Sequence, residues 1–307
     1  MSSFRRLRKK LKNDLIFVIV SFVFRFINRI QRDTAFRIFT TLGTLAYFVT
    51  PGERRKTITH LTQVLGESHS HQKIEKIAKL VFRNLGRNMV DAFRIGTMNS
   101  TIIDGFVTAN GLEHLDAAMA KGNGVLAITG HIGNWELFGA YLAFKGYPLY
   151  VIGAPIYDPR LDEMVVKNRM ASGAGYIARG RATREILRTL KRNGVIGILI
   201  DQDSRKNDGI FVDFLGIDAY TPVGPIILAL KTNASIVPMA IHIKRDNTHV
   251  VNIKPELPLI RTGDENRDIY ENTLQCSKAL EEFILDSPTQ WVWMHERWKT
   301  KPADIKT

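Results

Sequence analysis

The sequence predicts an α/β fold in which a central, mostly parallel sheet is flanked by helices. Three features of the 307-residue chain predict it: strand-like apolar runs alternate with helix-like segments from residue 124 onward, Gly146 and Asn193-Gly194 follow two of those helices, and no flexible linker interrupts the order. A content of 45% hydrophobic residues is enough for an ordinary core. The single cysteine, Cys276, excludes a disulfide framework and a cysteine-based zinc site.

The first 56 residues are predicted to form basic, hydrophobic helices that anchor the chain to a membrane. An apolar run at 15–24 is shorter than the roughly 20 residues that span a bilayer, and a second run at 35–49 ends at Thr50-Pro51-Gly52. Arginines interrupt both runs, so we expect the helices to lie in the interface or to re-enter it. A pair of core helices and a single span remain alternatives. We expect no removable signal peptide, because no small-residue cleavage site follows.

Residues 57–307 are predicted to form one catalytic domain. A helix is expected at 71–95, where apolar residues recur at helical spacing. Strands are expected at 124–129, 148–152, 195–200, 235–243 and 249–253, and helices at 135–145, 158–171, 182–192, 223–232 and 266–285. Sites in such sheets form at the carboxyl ends of strands, which directs attention to the residues after Thr129 and Ile200.

The formal net charge of +13 lies in two patches. Residues 1–60 carry a net +10 and residues 167–192 a net +7, so the rest of the chain is mildly acidic. A basic patch is typical of proteins that meet nucleic acid, an anionic membrane or an anionic substrate. Because the remaining surface is acidic, we expect a membrane surface and an anionic substrate as partners, and no nucleic acid.

His131 and Glu136 are the first candidates for chemistry. His131 follows the expected strand 124–129, between Gly130 and Gly133, and Glu136 opens the next helix behind its N-cap, Asn134. A carboxylate bonded to one imidazole nitrogen leaves the other free to accept a proton. A loop-to-helix junction would allow the two side chains to face each other, although a structural histidine remains the alternative.

Two further groups of residues are candidate binding elements. Asp201, Gln202 and Asp203 follow the strand 195–200 and form either a site wall or a plain turn. Arg169 and Arg179 lie near glycines, where guanidinium groups could hold a phosphate. The other histidines lack metal-ligand spacing, so we expect no metal site. The sequence contains no P-loop, G-x-S-x-G or G-x-G-x-x-G motif.

Taken in order, these features resemble the late acyltransferases of lipid A biosynthesis. His131-x4-Glu136 resembles the H-x4-D/E signature of glycerolipid-type acyltransferases. The resemblance continues through Asn168-Arg169, the helix from Arg184, Asp201-Gln202-Asp203, the segment 212–222 and the ending Pro288-Thr-Gln-Trp291-Val-Trp293-Met-His295-Glu-Arg297-Trp298-Lys299. The phosphatidic-acid branch usually has aspartate at the acid position and a later phosphate motif, both of which this sequence lacks.

The resemblance implies a glycerolipid-acyltransferase-like fold and an acyl transfer to a hydroxyl of a lipid A precursor. His131 would act as general base, oriented by Glu136, with acyl carrier protein as thioester donor and no cofactor; a CoA donor remains open. The substrate-binding residues would be Asn134, Arg169, Arg179, Asp201, Gln202, Asp203 and Arg297. The enzyme would act at the cytoplasmic face of a bacterial inner membrane. Another glycolipid acceptor, such as a phosphatidylinositol mannoside, is an alternative, as is a non-enzymatic basic binding protein.

Overall fold

The structure, a computed structural model, describes residues 3–178, 182–203 and 209–305. The helices are α1 (Ser3–Arg29), α2 (Arg32–Val49), α3 (Pro51–Leu65), α4 (His71–Arg94), α5 (Ser100–Asp104), α6 (Leu112–Met119), α7 (Trp135–Phe144), α8 (Pro159–Met170), α9 (Ala182–Lys191), α10 (Gly224–Thr232) and α11 (Glu265–Asp286). The strands are β1 (Val107–Asn110), β2 (Val125–Thr129), β3 (Leu149–Gly153), β4 (Gly175–Ala178), β5 (Val195–Leu199), β6 (Gly209–Phe214), β7 (Ile217–Pro222), β8 (Ser235–Ile243) and β9 (His249–Ile253).

In the described part of the chain, seven strands form the central sheet in the order β1-β9-β8-β2-β5-β3-β4. Every neighbouring pair is parallel except β8 and β9, which are antiparallel. Strand β2 is buried along its whole length, as expected for a central strand covered on both faces. The predicted α/β class with a mostly parallel sheet is therefore confirmed, and β2 and β5 lie side by side at its centre.

The sequence patterns missed several short elements. Strands β1 and β4 have only four residues each, and their partial exposure gives no continuous apolar run. The antiparallel hairpin of β6 and β7 turns at Leu215 and Gly216, which both have positive φ angles. Such turns usually carry Asn-Gly or Asp-Gly, so a leucine in the first position hid the hairpin.

Helix α2 packs closely against α4. A Cβ added to Gly86 would lie 2.2 Å from the carbonyl oxygen of Phe39, and one added to Gly43 would lie 2.5 Å from that of Phe82. The two glycines therefore allow the backbones to touch, and larger residues would force the helices apart. The inner face of α2 is therefore buried against the rest of the protein. The predicted domain boundary at residue 56 lies inside α3.

The outer faces of the first two helices are apolar and exposed. On α1 the exposed large apolar side chains include Leu15, Val18 and Phe22, which are 61%, 61% and 66% accessible. On α2 they are Leu42, Leu45, Phe48 and Val49. In the described part of the chain, no helix combines the length and the apolar character needed to cross a membrane.

A buried ionic cluster joins α2, α4 and the edge of the sheet. The carboxylate of Asp91 on α4 accepts two hydrogen bonds from Arg32 on α2, at 2.8 and 2.7 Å, and lies 2.9 Å from Nε2 of His249 on β9. The side chains of Asp91 and His249 are completely inaccessible. Although burial raises the pKa of Asp91, the hydrogen bonds and charges of His249 and Arg32 together lower it more. The cluster fixes the N-terminal helices to the sheet.

Candidate active site

His131 and Asp201 meet because they follow two neighbouring parallel strands. His131 lies just beyond β2 and Asp201 just beyond β5, so the carboxyl ends of the central strands bring them together. One oxygen of Asp201, Oδ1, lies 2.9 Å from Nδ1 of His131. The other, Oδ2, accepts the backbone N–H of His131 at 2.7 Å and the indole N–H of Trp291 at 2.8 Å. The carboxylate thus fixes both the backbone and the ring of His131.

The two groups polarise each other. Asp201 is 1% exposed, and burial alone would raise its pKa, but the charge and hydrogen bonds of His131 and the Trp291 N–H hold that pKa well below its usual range. Burial lowers the pKa of His131, whereas Asp201 and, more weakly, Glu136 raise it, so that the pKa lies above the ordinary value of 6.5. His131 is therefore a strengthened base. Because Nδ1 faces the carboxylate, Nε2 is the nitrogen that can take a proton.

The loop that carries His131 is clamped from two sides. Gly133 has a φ of +56°, and a Cβ there would lie 1.9 Å from the carbonyl oxygen of Ile241 on β8. Its N–H donates to the carbonyl of Gln290 at 2.8 Å, and the N–H of Val292 donates to the carbonyl of His131 at 3.2 Å. The loop therefore lies between the sheet and the C-terminal segment, and position 133 requires glycine.

Glu136 is bound to Arg169 rather than to His131. Arg169, on α8, donates from Nε to Oε2 of Glu136 at 2.7 Å and from Nη2 to Oε1 at 2.5 Å. This bidentate pair raises the pKa of Arg169. The expectation that Glu136 orients His131 is thus corrected by the geometry: the carboxylate on the imidazole is that of Asp201, and Glu136 acts on the ring only through its charge.

His295 is a site residue that the sequence patterns did not single out. Its ring lies 4.7 Å from the ring of His131, centroid to centroid. The side-chain amide of Gln202 lies 2.6 Å from Nδ1 of His295 and can donate to it, which would leave Nε2 protonated in the neutral ring. Burial, followed by the neighbouring charge of His131, lowers the pKa of His295 to about 4. His295 is 164 residues from His131 along the chain, a separation that spacing cannot bridge.

A cavity of about 420 Å³ lies beside His131. The predicted residues His131, Glu136, Arg169, Gln202 and Asp203 line it. Its other lining residues are mostly small or apolar and come from α7, β3 and the end of β5, among them Gly139, Ala140, Val151, Ile152, Ile198 and Leu199. The volume falls in the range of ligand pockets, about 300–1,000 Å³. The cavity therefore combines a base, an ion pair and an apolar lining.

Several predicted binding residues lie elsewhere or have other partners. Asn134 is buried: its Oδ1 caps α7 by accepting the N–H of Leu137, and its Nδ2 donates to the carbonyl of Asn88. Arg297 is also buried, and it donates to the carbonyl of Tyr220 at 2.9 Å and to the hydroxyl of Thr221 at 2.5 Å.

The structure therefore does not bring Asn134 or Arg297 to the cavity, since both side chains hold neighbouring segments in place. Asp203 lines the cavity, but its carboxylate also accepts the N–H and the hydroxyl of Thr300 at 2.8 Å each. Arg179 lies outside the described residues. Of the predicted arginines in the described part of the chain, Arg169 is the one that reaches the cavity.

Comparisons with known proteins identify the family of the chain. The family described as "Bacterial lipid A biosynthesis acyltransferase" matches residues 1–300. The chain is similar to the lipid A biosynthesis palmitoleoyltransferase of Escherichia coli (strain K12), with 24% identity over 254 residues, which cover 82% of this chain and 81% of that protein. It is also similar to the lipid A biosynthesis lauroyltransferase of the same strain, with 24% identity over 257 residues and 82% of both chains.

A third relative has a different acceptor in its name. The phosphatidylinositol mannoside acyltransferase of Mycobacterium tuberculosis (strain CDC 1551 / Oshkosh) is 28% identical over 200 residues, which cover 62% of each chain. All three relatives are acyl-transferring enzymes by name, and the family match spans almost the whole chain. The chain belongs to the bacterial lipid A biosynthesis acyltransferase family and is an acyltransferase.

Proposed function

We propose that this acyltransferase transfers a fatty acyl chain from a thioester of acyl carrier protein to a hydroxyl of a lipid A precursor. The observation that carries the proposal is the His131–Asp201 pair beside a cavity with an apolar lining. The pair supplies a base, and the lining suits a hydrocarbon chain. The acceptor is proposed by analogy with the relatives, two of which are named for lipid A biosynthesis.

The reaction needs no covalent intermediate on the enzyme. Nε2 of His131 takes the proton from the acceptor hydroxyl while the oxygen attacks the thioester carbonyl. Asp201 stabilises the imidazolium that forms, as its position on Nδ1 allows. When the tetrahedral intermediate collapses, the carbon–sulfur bond breaks and the leaving thiolate takes the proton from His131. The products are an ester and the free thiol of the donor.

The donors available to the oxyanion are few. The backbone N–H groups of His131 and Gly133 are already bonded to Asp201 and Gln290. In the described part of the chain, the N–H groups of Trp135 and Glu136 at the start of α7 have no acceptor. Helix N-termini stabilise negative charge. We therefore assign the oxyanion to this first turn of α7, with the Arg169 guanidinium beside it.

Helix α9 suits an acidic donor protein. Its buried face carries Ile186 and Leu190, and its exposed face carries Arg184, Arg188 and Lys191. A row of exposed cations on one helix raises the encounter rate with an acidic partner. We propose that acyl carrier protein docks on this face.

The exposed apolar faces of α1 and α2 suit a membrane surface. Leu15, Val18 and Phe22 would enter the acyl boundary while neighbouring arginines reach lipid phosphates. Exposed apolar patches of this kind are typical of interaction sites. We propose an interfacial arrangement of these helices at the cytoplasmic face of a bacterial inner membrane, where donor and acceptor meet.

Acyl transfer tests the assignment of the base. With acyl carrier protein as donor and a lipid A precursor as acceptor, His131→Ala should lose nearly all activity, because it removes the imidazole that Asp201 orients and polarises. The matched control is His71→Ala, whose side chain is 73% exposed and remote from the cavity. Transfer by His131→Ala at the wild-type rate would exclude His131 as the base. Transfer to a phosphatidylinositol mannoside alone would replace the proposed acceptor.

Vesicle binding tests the anchor. Replacing Val18 and Phe22 by aspartate should release the protein from vesicles of bacterial lipids, because charge at the acyl boundary is costly. The control replaces Tyr270 and Leu285 on α11, which are 42% and 48% exposed, by aspartate. Equal vesicle binding by both double variants would remove the membrane role of α1.

A further inference from the structure

A second cavity, of about 440 Å³, lies between α1 and α8. Arg25 and Arg29 from α1 and Lys167 from α8 line it together with the apolar side chains of Phe24 and Met164. Cations beside an apolar lining match a ligand that is both anionic and apolar. This cavity is called the α1–α8 cleft below.

The three cations of the cleft are available to an anionic ligand. Among the described residues, Arg25, Arg29 and Lys167 take part in no ion pair, and all three are exposed. The amide of Asn168, in contrast, is satisfied internally, because it donates to the carbonyl of Ala92 and accepts the N–H of Gly96. The hydrogen bonds of Asn168 therefore hold one side of the cleft in place, and its three cations are available to an anion.

The surface that leads to the cleft is apolar. Leu11, Leu15, Val18 and Phe22 follow one another at spacings of four, three and four residues, and each is at least 60% exposed. Arg25 and Arg29 continue the same spacing, so one face of α1 changes from apolar to basic at the cleft. An amphiphile could lie along this face, with its chains on the apolar side chains and its headgroup at the arginines.

The cleft is separate from the catalytic cavity. Lys167 faces the cleft and Arg169 faces the catalytic cavity. Residues two positions apart on a helix are separated by about 200° around its axis, so Lys167 and Arg169 lie on opposite sides of α8. Helix α8 therefore separates the two sites. A lipid whose headgroup occupies the cleft is therefore on the far side of α8 from His131.

We propose that the α1–α8 cleft binds the phosphodiester headgroup of an anionic glycerophospholipid, which is neither the donor nor the acceptor of the reaction. The proposal rests on the proposed contact of α1 with a membrane. In addition to that contact, the proposal gives the protein a defined site that binds one lipid molecule. Such a lipid would join α1 to α8, the helix that carries Arg169.

Native mass spectrometry of the full-length protein in neutral detergent measures the stoichiometry directly. The probes are phosphatidylglycerol, phosphatidylcholine, the lipid A precursor and inorganic phosphate, each added alone. Wild type should retain one phosphatidylglycerol in preference to phosphatidylcholine. The variant Arg25→Gln/Arg29→Gln should weaken this binding at least about tenfold, since two charge-assisted contacts are lost. The control Lys73→Gln/Arg267→Gln removes two exposed cations elsewhere and should bind as wild type does.

A second variant separates a shaped site from diffuse charge attraction. Ala171→Trp places a large ring in the cleft at an exposed position without changing the net charge, and it should also abolish retention of phosphatidylglycerol. Equal losses in the two double variants, together with normal binding by Ala171→Trp, would show diffuse attraction only and overturn the proposal. Retention of the precursor or of inorganic phosphate in place of phosphatidylglycerol would overturn it as well. Because no donor is present, the outcome is independent of whether acyl transfer occurs.

Discussion

The substitution Asp201→Asn tests the central pair of the site. It keeps the size of the side chain and removes the charge that faces Nδ1 of His131 at 2.9 Å. With about 4 Å between charge centres and an effective dielectric constant of about 20, the lost attraction is about 4 kcal/mol. Because about 1.4 kcal/mol corresponds to a factor of ten, kcat/KM should fall by about a thousandfold if the imidazolium is fully formed in the transition state.

The pH dependence of Asp201→Asn provides a second readout. The base must be neutral, so kcat/KM rises as pH passes through the pKa of His131, which Asp201 holds above 6.5. Without that carboxylate the pKa should fall, and the rising limb should move to lower pH. Initial rates of acyl transfer between pH 5 and 9 measure both the loss and the shift.

A matched control is available two residues away. Asp203→Asn removes a carboxylate whose bonds go to Thr300, so the position of the rising limb should stay unchanged. Thermal unfolding of both variants separates lost stability from lost chemistry, because Asp201 also accepts the Trp291 indole N–H. If Asp201→Asn kept its rate and limb while Glu136→Gln shifted the limb, Glu136 would be the orienting carboxylate and the geometric assignment would be refuted.

Three further predictions concern the ion pairs and the buried arginine. In a double-mutant cycle, the losses of kcat/KM caused by Glu136→Gln and by Arg169→Gln should be non-additive, with an interaction energy of about 1–3 kcal/mol. Additive losses would show that the two side chains do not act as a unit. Arg297→Met should lower the free energy of unfolding, measured by urea titration, by about 2–4 kcal/mol. The KM of the folded enzyme should stay unchanged, and a raised KM would indicate that Arg297 contacts the substrate. The pKa of Asp91 is lowered in the folded state, so its stabilisation is present in full above the unfolded pKa of about 4 and is lost progressively as pH falls towards the folded pKa. Asp91→Asn should therefore cost about 3–5 kcal/mol at pH 7 and about 1 kcal/mol less at pH 3, and an equal cost at both pH values would contradict the ionic role.

The sequence predicted the sheet well because its central strands are long apolar runs. Strands β2, β5 and β8 lie within one residue of their expected limits, and helix and strand periodicities differ enough to separate the elements. The site was harder to predict, because its key contact joins residues 70 positions apart. Glu136 was predicted to bind His131 because it is five residues away. The strand order instead places Asp201 against the imidazole, and Glu136 binds Arg169.

Asp201 was nevertheless among the candidate residues, because the carboxyl ends of strands were expected to carry the site. Its specific role depends on β2 and β5 being neighbours in the sheet. Hydrophobic periodicity predicts single elements but not the order of the strands. His295 was missed for the same reason, since it approaches His131 only through the return of the C-terminal segment.

The clamp on the His131 loop also bears on how the protein is made. The C-terminal segment supplies partners late in the chain: Gln290 and Val292 bond to the His131 loop and Trp291 bonds to Asp201, and His295 lies beside the ring of His131. Since the ribosome delivers the chain from the N-terminus, a nascent chain can build the sheet while its catalytic loop still lacks these partners. The site is completed only after residues 290–295 have left the ribosome. An incomplete chain therefore holds His131 without the C-terminal contacts that fix its loop and its carboxylate.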